Sequence, residues 1–143
     1  MMPRTNRFIV SVSVGLSINA LMGAMLVSPS VAAPPAPAGN AEKGKAVFAR
    51  CAACHRIDPT AVGGMGPNLS GVHGRKAGML KGYTYSPAMK ASGLQWDDAT
   101  LSRFLSAPTK VVPGTKMMAP PVGDPQDRAN VIAYLKTAGG TKK

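Results

Sequence analysis

Apolar positions follow two different rules along this chain. From Phe8 to Val27 they form a nearly continuous run, softened by Ser11, Ser13, Gly15, Ser17 and Asn19. Beyond Asn40 they recur instead at helical spacing, in short groups separated by stretches rich in Gly and Pro. Asn40 is a good N-cap, and Glu42 sits in the first turn, where the helix dipole favours an acid. This predicts a helix through Val47 and Phe48 to about Ala53. A glycine-rich loop follows from Asp58 to about Tyr85, carrying Gly63, Gly64, Gly66, Gly71, Gly74 and Gly78. Loops of such length are uncommon in compact domains and usually functional. Here the loop is expected to wrap a large ligand that supplies the core it cannot build itself. Ser86-Pro87 reads as N-cap and first residue of a short helix ending near Gly93. Asp97 or Asp98 opens the next, with Leu101, Phe104 and Leu105 on one face and Pro108 ending it. A second irregular stretch, 110–123, contains Pro113-Gly114 and Pro120-Pro121. Asp124-Pro125 then starts a last helix that buries Val131, Ile132 and Leu135 and is stopped by Gly139. No segment alternates with period two, and there is no repeat and no βαβ pattern. The expected fold class is all-α, about four short helices joined by two long loops.

The N-terminal run is set apart by its flanks. Arg4 and Arg7 precede it, and Ser30-Val31-Ala32 fits the small-x-small pattern of a cleaved secretory signal. Residues 1–32 are therefore read as a signal peptide cut after Ala32, without a twin-arginine pair. Residues 33–39 are read as a stiff Pro/Ala-rich linker, and residues 40–143 as the single domain. The competing reading is a retained membrane anchor, because the run approaches the ~20 residues of a transmembrane helix. Cleavage would leave no stable membrane insertion and a monomer in the periplasm of a bacterium.

Charge narrows the partners. The chain carries 17 Lys and Arg against six acids, a net charge of +11. Loss of residues 1–32 removes Arg4 and Arg7 and no acid, leaving +9. Such a field steers toward acidic proteins or anionic membranes. Nucleic acid is not expected: the chain is exported and has no nucleic-acid motif and no basic run.

The two cysteines lie in Cys51-Ala52-Ala53-Cys54-His55, the C-x-x-C-H signature of covalent haem attachment. At a helix end, residues three apart share a side, so both thiols reach the vinyl groups of one porphyrin and the next histidine is carried over the ring. A thioredoxin-like pair would need a βαβ context, and a zinc site would need further Cys or His. A structural disulfide is the remaining competitor, since export exposes the pair to an oxidising compartment.

Further strings extend this. Glu42-Lys43-Gly44-Lys45, Gly66-Pro67-Asn68-Leu69-Ser70-Gly71, Gly74-Arg75-Lys76-Ala77-Gly78, Tyr83-Thr84-Tyr85, Leu94-Gln95-Trp96, Pro113-Gly114-Thr115-Lys116-Met117 and Ile132-Ala133-Tyr134-Leu135-Lys136 occur in that order. With Cys51 to His55, they make residues 40–136 resemble class I cytochrome c of the mitochondrial and alpha-proteobacterial type. The resemblance implies a small all-α shell around one haem c, joined through Cys51 and Cys54 and ligated by His55. It implies Met117 as the sulfur ligand, with Met118 as its rival. Bis-His ligation through His73 is a minor alternative, and His73 is otherwise expected to be exposed or bonded to backbone. Met65, Met79 and Met89 are expected to fill gaps. By the same resemblance, Pro67 offers its carbonyl to His55. Arg75, Tyr85 and Trp96 match positions that hydrogen-bond the haem propionates, although both aromatics could be plain core. Thr115 would bond the propionate side of the Met loop, and Phe48 would pack on Tyr134. The chain departs from the family in having Phe104 where a tyrosine is frequent, Ala119 where a phenylalanine is frequent, and Met89 where an asparagine is common.

The function implied is one-electron transfer, not enzymatic turnover. His/Met ligation fills both axial sites and raises the potential. Lys76, Lys81, Lys110 and Lys116 would meet an acidic redox partner: a cytochrome bc complex, a terminal oxidase, a reaction centre or a periplasmic dehydrogenase. A haem peroxidase or gas-binding protein would need an open sixth site, and an anchored electron-transfer subunit would need residues 8–27 retained.

Overall fold

Short helices start where side chains can cap them, and all four predicted caps are made. In a computed structural model, which describes residues 36–138, α1 (Ala41–Phe48) begins at Asn40, whose side chain accepts from the Lys43 amide. α2 (Pro87–Ala91) begins at Ser86, which accepts from Met89 N–H. α3 (Asp98–Ser106) is capped by Asp97, not Asp98, through the Thr100 amide. α5 (Pro125–Thr137) starts at Asp124, which accepts from Gln126 N–H. Each cap satisfies a helix-terminal donor that has no partner within the helix. The signal segment, its cut after Ala32, and the Gly139 stop lie outside the described residues. Among the described residues no helix is long and apolar enough to cross a membrane.

Two boundaries differ from expectation. α1 ends at Phe48, and Ala49 to Cys54 continue as turns. Cys51 N–H donates to Phe48 O at 2.7 Å and Cys54 N–H to Cys51 O at 3.1 Å. These i→i+3 bonds satisfy the carbonyls at the helix end. Local propensity favours helix through Ala52 and Ala53, so tertiary context decides the end. Pro108 ends α3 as expected but also opens a fifth helix, α4 (Pro108–Val111), at its first position. Proline suits that position because the missing N–H would have no helical partner there. The second irregular stretch therefore begins at about Val112.

α1 lies against α5, which also packs on α3, and α3 adjoins α4. The α1–α5 crossing is close because Gly44 has no side chain: a Cβ there would strike Asn130 O. Asn130 is itself buried, and its Oδ1 accepts from Asn40 N–H at 2.8 Å, tying the start of α1 to α5. Phe48 and Tyr134 stack at 5.4 Å across the same seam. Ala38 and Gly39 also reach α5, for Gln126 Nε2 donates to Ala38 O at 2.8 Å and Gly39 packs beside Ala133. Trp96, Leu101, Phe104, Leu105, Val112 and Leu135 belong to the buried cluster from which the loops depart. The long loop 58–85 keeps a single antiparallel bridge, between Lys76 and Gln95.

Candidate haem-attachment site

The site is assembled by turns, each with a local cause. Cys51 and Cys54 are both free and half-buried, so they form no disulfide with each other. Burial pushes the Cys51 thiol up; Arg50 opposes this and Cys54 adds to it. His55 follows directly, with its amide donating to Cys51 O at 2.9 Å.

The His55 ring is held from two sides. Its Nδ1 lies 2.8 Å from Pro67 O. A carbonyl only accepts, so that nitrogen carries the proton and Nε2 keeps a lone pair. Gly66 lies against the ring: a Cβ at this residue would come within 2.7 Å of Nδ1 and 2.9 Å of Nε2. The Gly66 amide donates to Cys54 O at 2.9 Å, which ties the loop to the motif. The sequence reading gave Gly66 no role, although its place beside Pro67 was the available signal. Asn68, also given no role, is buried and staples the loop. Its Nδ2 donates to Asp58 O and Ala61 O, each at 2.7 Å, and its Oδ1 accepts from Ser70 N–H.

Arg75 reaches back across this loop, donating through Nη1 to Ser70 O at 3.1 Å and through Nη2 to Asn68 O at 3.0 Å. Desolvation lowers its pKa, opposed by Tyr85 nearby, and burial raises that of Tyr85, opposed by Arg75. An arginine so placed still carries its charge. Tyr85 stacks edge-on with Tyr83 at 4.8 Å, whereas Trp96 is buried against Phe104 at 5.0 Å. Thr115 is buried, and its Oγ1 accepts from the Met117 amide at 3.2 Å. Gly114, at φ +87°, lets Val112–Thr115 close a turn with Pro113 at its second position, and Thr115 N–H bonds Val112 O at 3.0 Å. That turn delivers Met117 half-buried onto the core, while Met118 is 83% exposed.

His73 is exposed, as expected, and its ring bonds a side chain: Nε2 lies 2.7 Å from Asp98 Oδ1, and Lys136 Nζ is 2.7 Å from Asp98 Oδ2. Two expectations are corrected here. Met65 and Met79 do not fill gaps, being 81% and 65% exposed, because both sit on loop segments that project from the core. Met89 does, at 7%. A separate cavity of about 450 Å³ lies between the 59–70 and 80–83 segments, lined by Val62, Leu80, Lys81 and Tyr83 among others and by none of the predicted site residues.

The candidate donors are one imidazole nitrogen with its tautomer fixed, one thioether packed on the core and two free thiols three residues apart. This fits a covalently held haem, whose iron accepts nitrogen and soft sulfur. Among the described residues no cluster of His, Cys, Asp and Glu offers a competing metal site.

Comparison with known proteins agrees. Residues 41–139 match the family model described as cytochrome c. The chain is 50% identical to cytochrome c2 of Rhodoblastus acidophilus over 107 residues, covering 73% of this chain and all of that protein. It is 51% identical to cytochrome c2 of Rhodomicrobium vannielii over 122 residues, 85% of this chain and 94% of the relative. Among solved structures, cytochrome cH from Methylobacterium extorquens superposes with a TM-score of 0.66 at 49% identity, over 69% of this chain and 99% of that one.

Proposed function

Because the chain belongs to the cytochrome c family and carries electrons on covalently attached haem, we propose that His55 and Met117 are the axial donors of that haem and Cys51 and Cys54 its tethers. The haem, when bound, supplies a one-electron ferrous/ferric couple. The observation that carries the assignment is the 2.8 Å contact of His55 Nδ1 with Pro67 O. It presents Nε2 in the tautomer a metal needs and stops the ring from turning. Gly66 closes one face of the same ring. Thr115 and the Pro113-Gly114 turn orient the Met117 segment, and the packing of half-buried Met117 on the core, against an exposed Met118, supports the first of the two sulfurs. Arg75, Tyr85 and Trp96 would hold the propionates; the half-buried cation at Arg75 is the strongest of the three for that role.

The test is spectroscopic. Ferric protein should show the weak near-infrared band of His/Met iron, and Met117→Ala should abolish it and lower the potential. Met118→Ala should leave the band in place, and the reverse pattern would move the ligand by one residue. The exposed Lys76, Lys81, Lys110 and Lys116 support docking of an acidic redox partner. Export to the periplasm after cleavage at Ala32 follows from the N-terminal pattern and is read out by N-terminal sequencing of the mature protein.

A further inference from the structure

Methionine is among the residues most often buried, yet this chain exposes it selectively. The exposed large hydrophobic side chains among the described residues are Val62, Met65, Met79 and Met118, and three of these four are methionine. Two of the three lie one residue from a residue of the candidate site, and the third lies beside a close packing contact on α2. Met118 follows Met117. Met65 precedes Gly66, which rests on the His55 ring, and the Met65 sulfur lies 3.9 Å from Cys54 Sγ. Met79 follows Gly78, where a Cβ would come within 2.9 Å of Lys90 Cα in α2. Met89 and Met117, by contrast, are packed into or onto the core.

We infer that Met65, Met79 and Met118 form a sacrificial set that consumes two-electron oxidants before they reach the Met117 sulfur, a role that rests on the proposed Met117 ligation. The oxidants are oxygen-atom donors, hypochlorous acid or peroxides. The thioether sulfur attacks the oxygen, an S–O bond forms and the O–Cl or O–O bond breaks. Hypochlorous acid leaves chloride and a proton, and hydrogen peroxide leaves water. Sulfur loses two electrons and the oxidant gains two. On an exposed side chain the resulting sulfoxide points into water and disturbs no packing. At Met117 or Met89 the same product would set a polar group against apolar neighbours. Sulfoxide reductases reverse the change, so an exposed methionine can act repeatedly.

Incremental hypochlorous acid added to the ferric holoprotein tests this, with sulfoxides located by peptide mass spectrometry and the near-infrared band followed in parallel. The first three equivalents should fall on Met65, Met79 and Met118, one per exposed sulfur, with Met117 unmodified and the band intact. A variant with all three changed to leucine keeps their apolar surface, and circular dichroism checks that it folds. It should form the Met117 sulfoxide, and lose the band, about three equivalents earlier. Oxidation of Met117 together with the exposed set, or equal resistance in the variant, would overturn the inference. Equal resistance with slowed transfer to a redox partner would assign the exposed methionines to docking instead. If untreated wild type lacks the band, the ligand assignment fails, while the order of sulfoxide formation still decides the scavenging role.

Discussion

Gly66→Ala isolates the support beneath the His55 ring. Gly66 is not among the glycines with positive φ, so alanine is allowed on the backbone and its cost is steric alone. The new methyl would stand 2.7 Å from Nδ1 and 2.9 Å from Nε2, about 1 Å inside the ~3.5–4.0 Å of an ordinary contact. Neither side retreats freely. The Gly66 amide is bonded to Cys54 O at 2.9 Å, and the ring is bonded to Pro67 O at 2.8 Å. Overpacking of this kind costs about 1–3 kcal/mol, and breaking the ring's bond to Pro67 adds about 1 kcal/mol. The sum, roughly 2–4 kcal/mol, corresponds to a fall of roughly 10–30 °C in Tm for a domain of this size. The assay is thermal unfolding of the ferric holoprotein, followed at the haem absorbance and by far-ultraviolet circular dichroism. Gly93→Ala is the control. Its φ is +64° with nothing within 4 Å of a Cβ, so it should cost only the ~1–2 kcal/mol of a left-handed residue and leave the haem spectrum unchanged. A Gly66→Ala protein with wild-type Tm and spectrum would refute the placement of this glycine against the His55 ring.

Other consequences are simpler to state. Cys51→Ser or Cys54→Ser should sharply reduce the yield of holoprotein, whereas acid-acetone extraction of wild type should leave the colour with the polypeptide. Electron transfer to an acidic partner should slow several-fold as the Debye length shrinks from ~30 Å to ~8 Å with rising salt. Lys116→Glu, beside Met117, should slow it more than Lys43→Glu in the first turn of α1, and a salt-independent rate would point to apolar docking. The Asp98 pKa is lowered, chiefly by its bond from Lys136 and further by His73, with burial opposing. Because the folded value is depressed, the stabilisation is present above the ordinary carboxylate value of ~3.9 and lost as pH falls through the depressed one. Asp98→Asn should therefore cost about 1 kcal/mol or less at neutral pH, since the carboxylate is largely exposed, and the gap to wild type should close on acidification below ~4. Urea titrations at several pH values measure it.

What could be read from the chain by itself is what depends on near neighbours. Asn40, Ser86, Asp97 and Asp124 cap helices through bonds to residues two or three positions ahead, so the motif and the contact coincide in sequence. The spacing of Cys51, Cys54 and His55 is legible for the same reason. The end of α1 was not legible, because Ala49 to Ala53 suit a helix locally and only tertiary packing turns them away from it. Nor was α4, since a proline that stops one helix can begin another. Gly66 against His55, His73 and Lys136 on one carboxylate, and Asn130 on Asn40 join residues from 11 to 90 positions apart. The choice between Met117 and Met118 is of the same kind: the two are chemically identical neighbours, and which sulfur meets the core depends on the turn at Gly114 and on what that turn packs against. Pattern and propensity carry no information about such pairs, because burial of a side chain is decided by the surface that arrives from elsewhere in the chain.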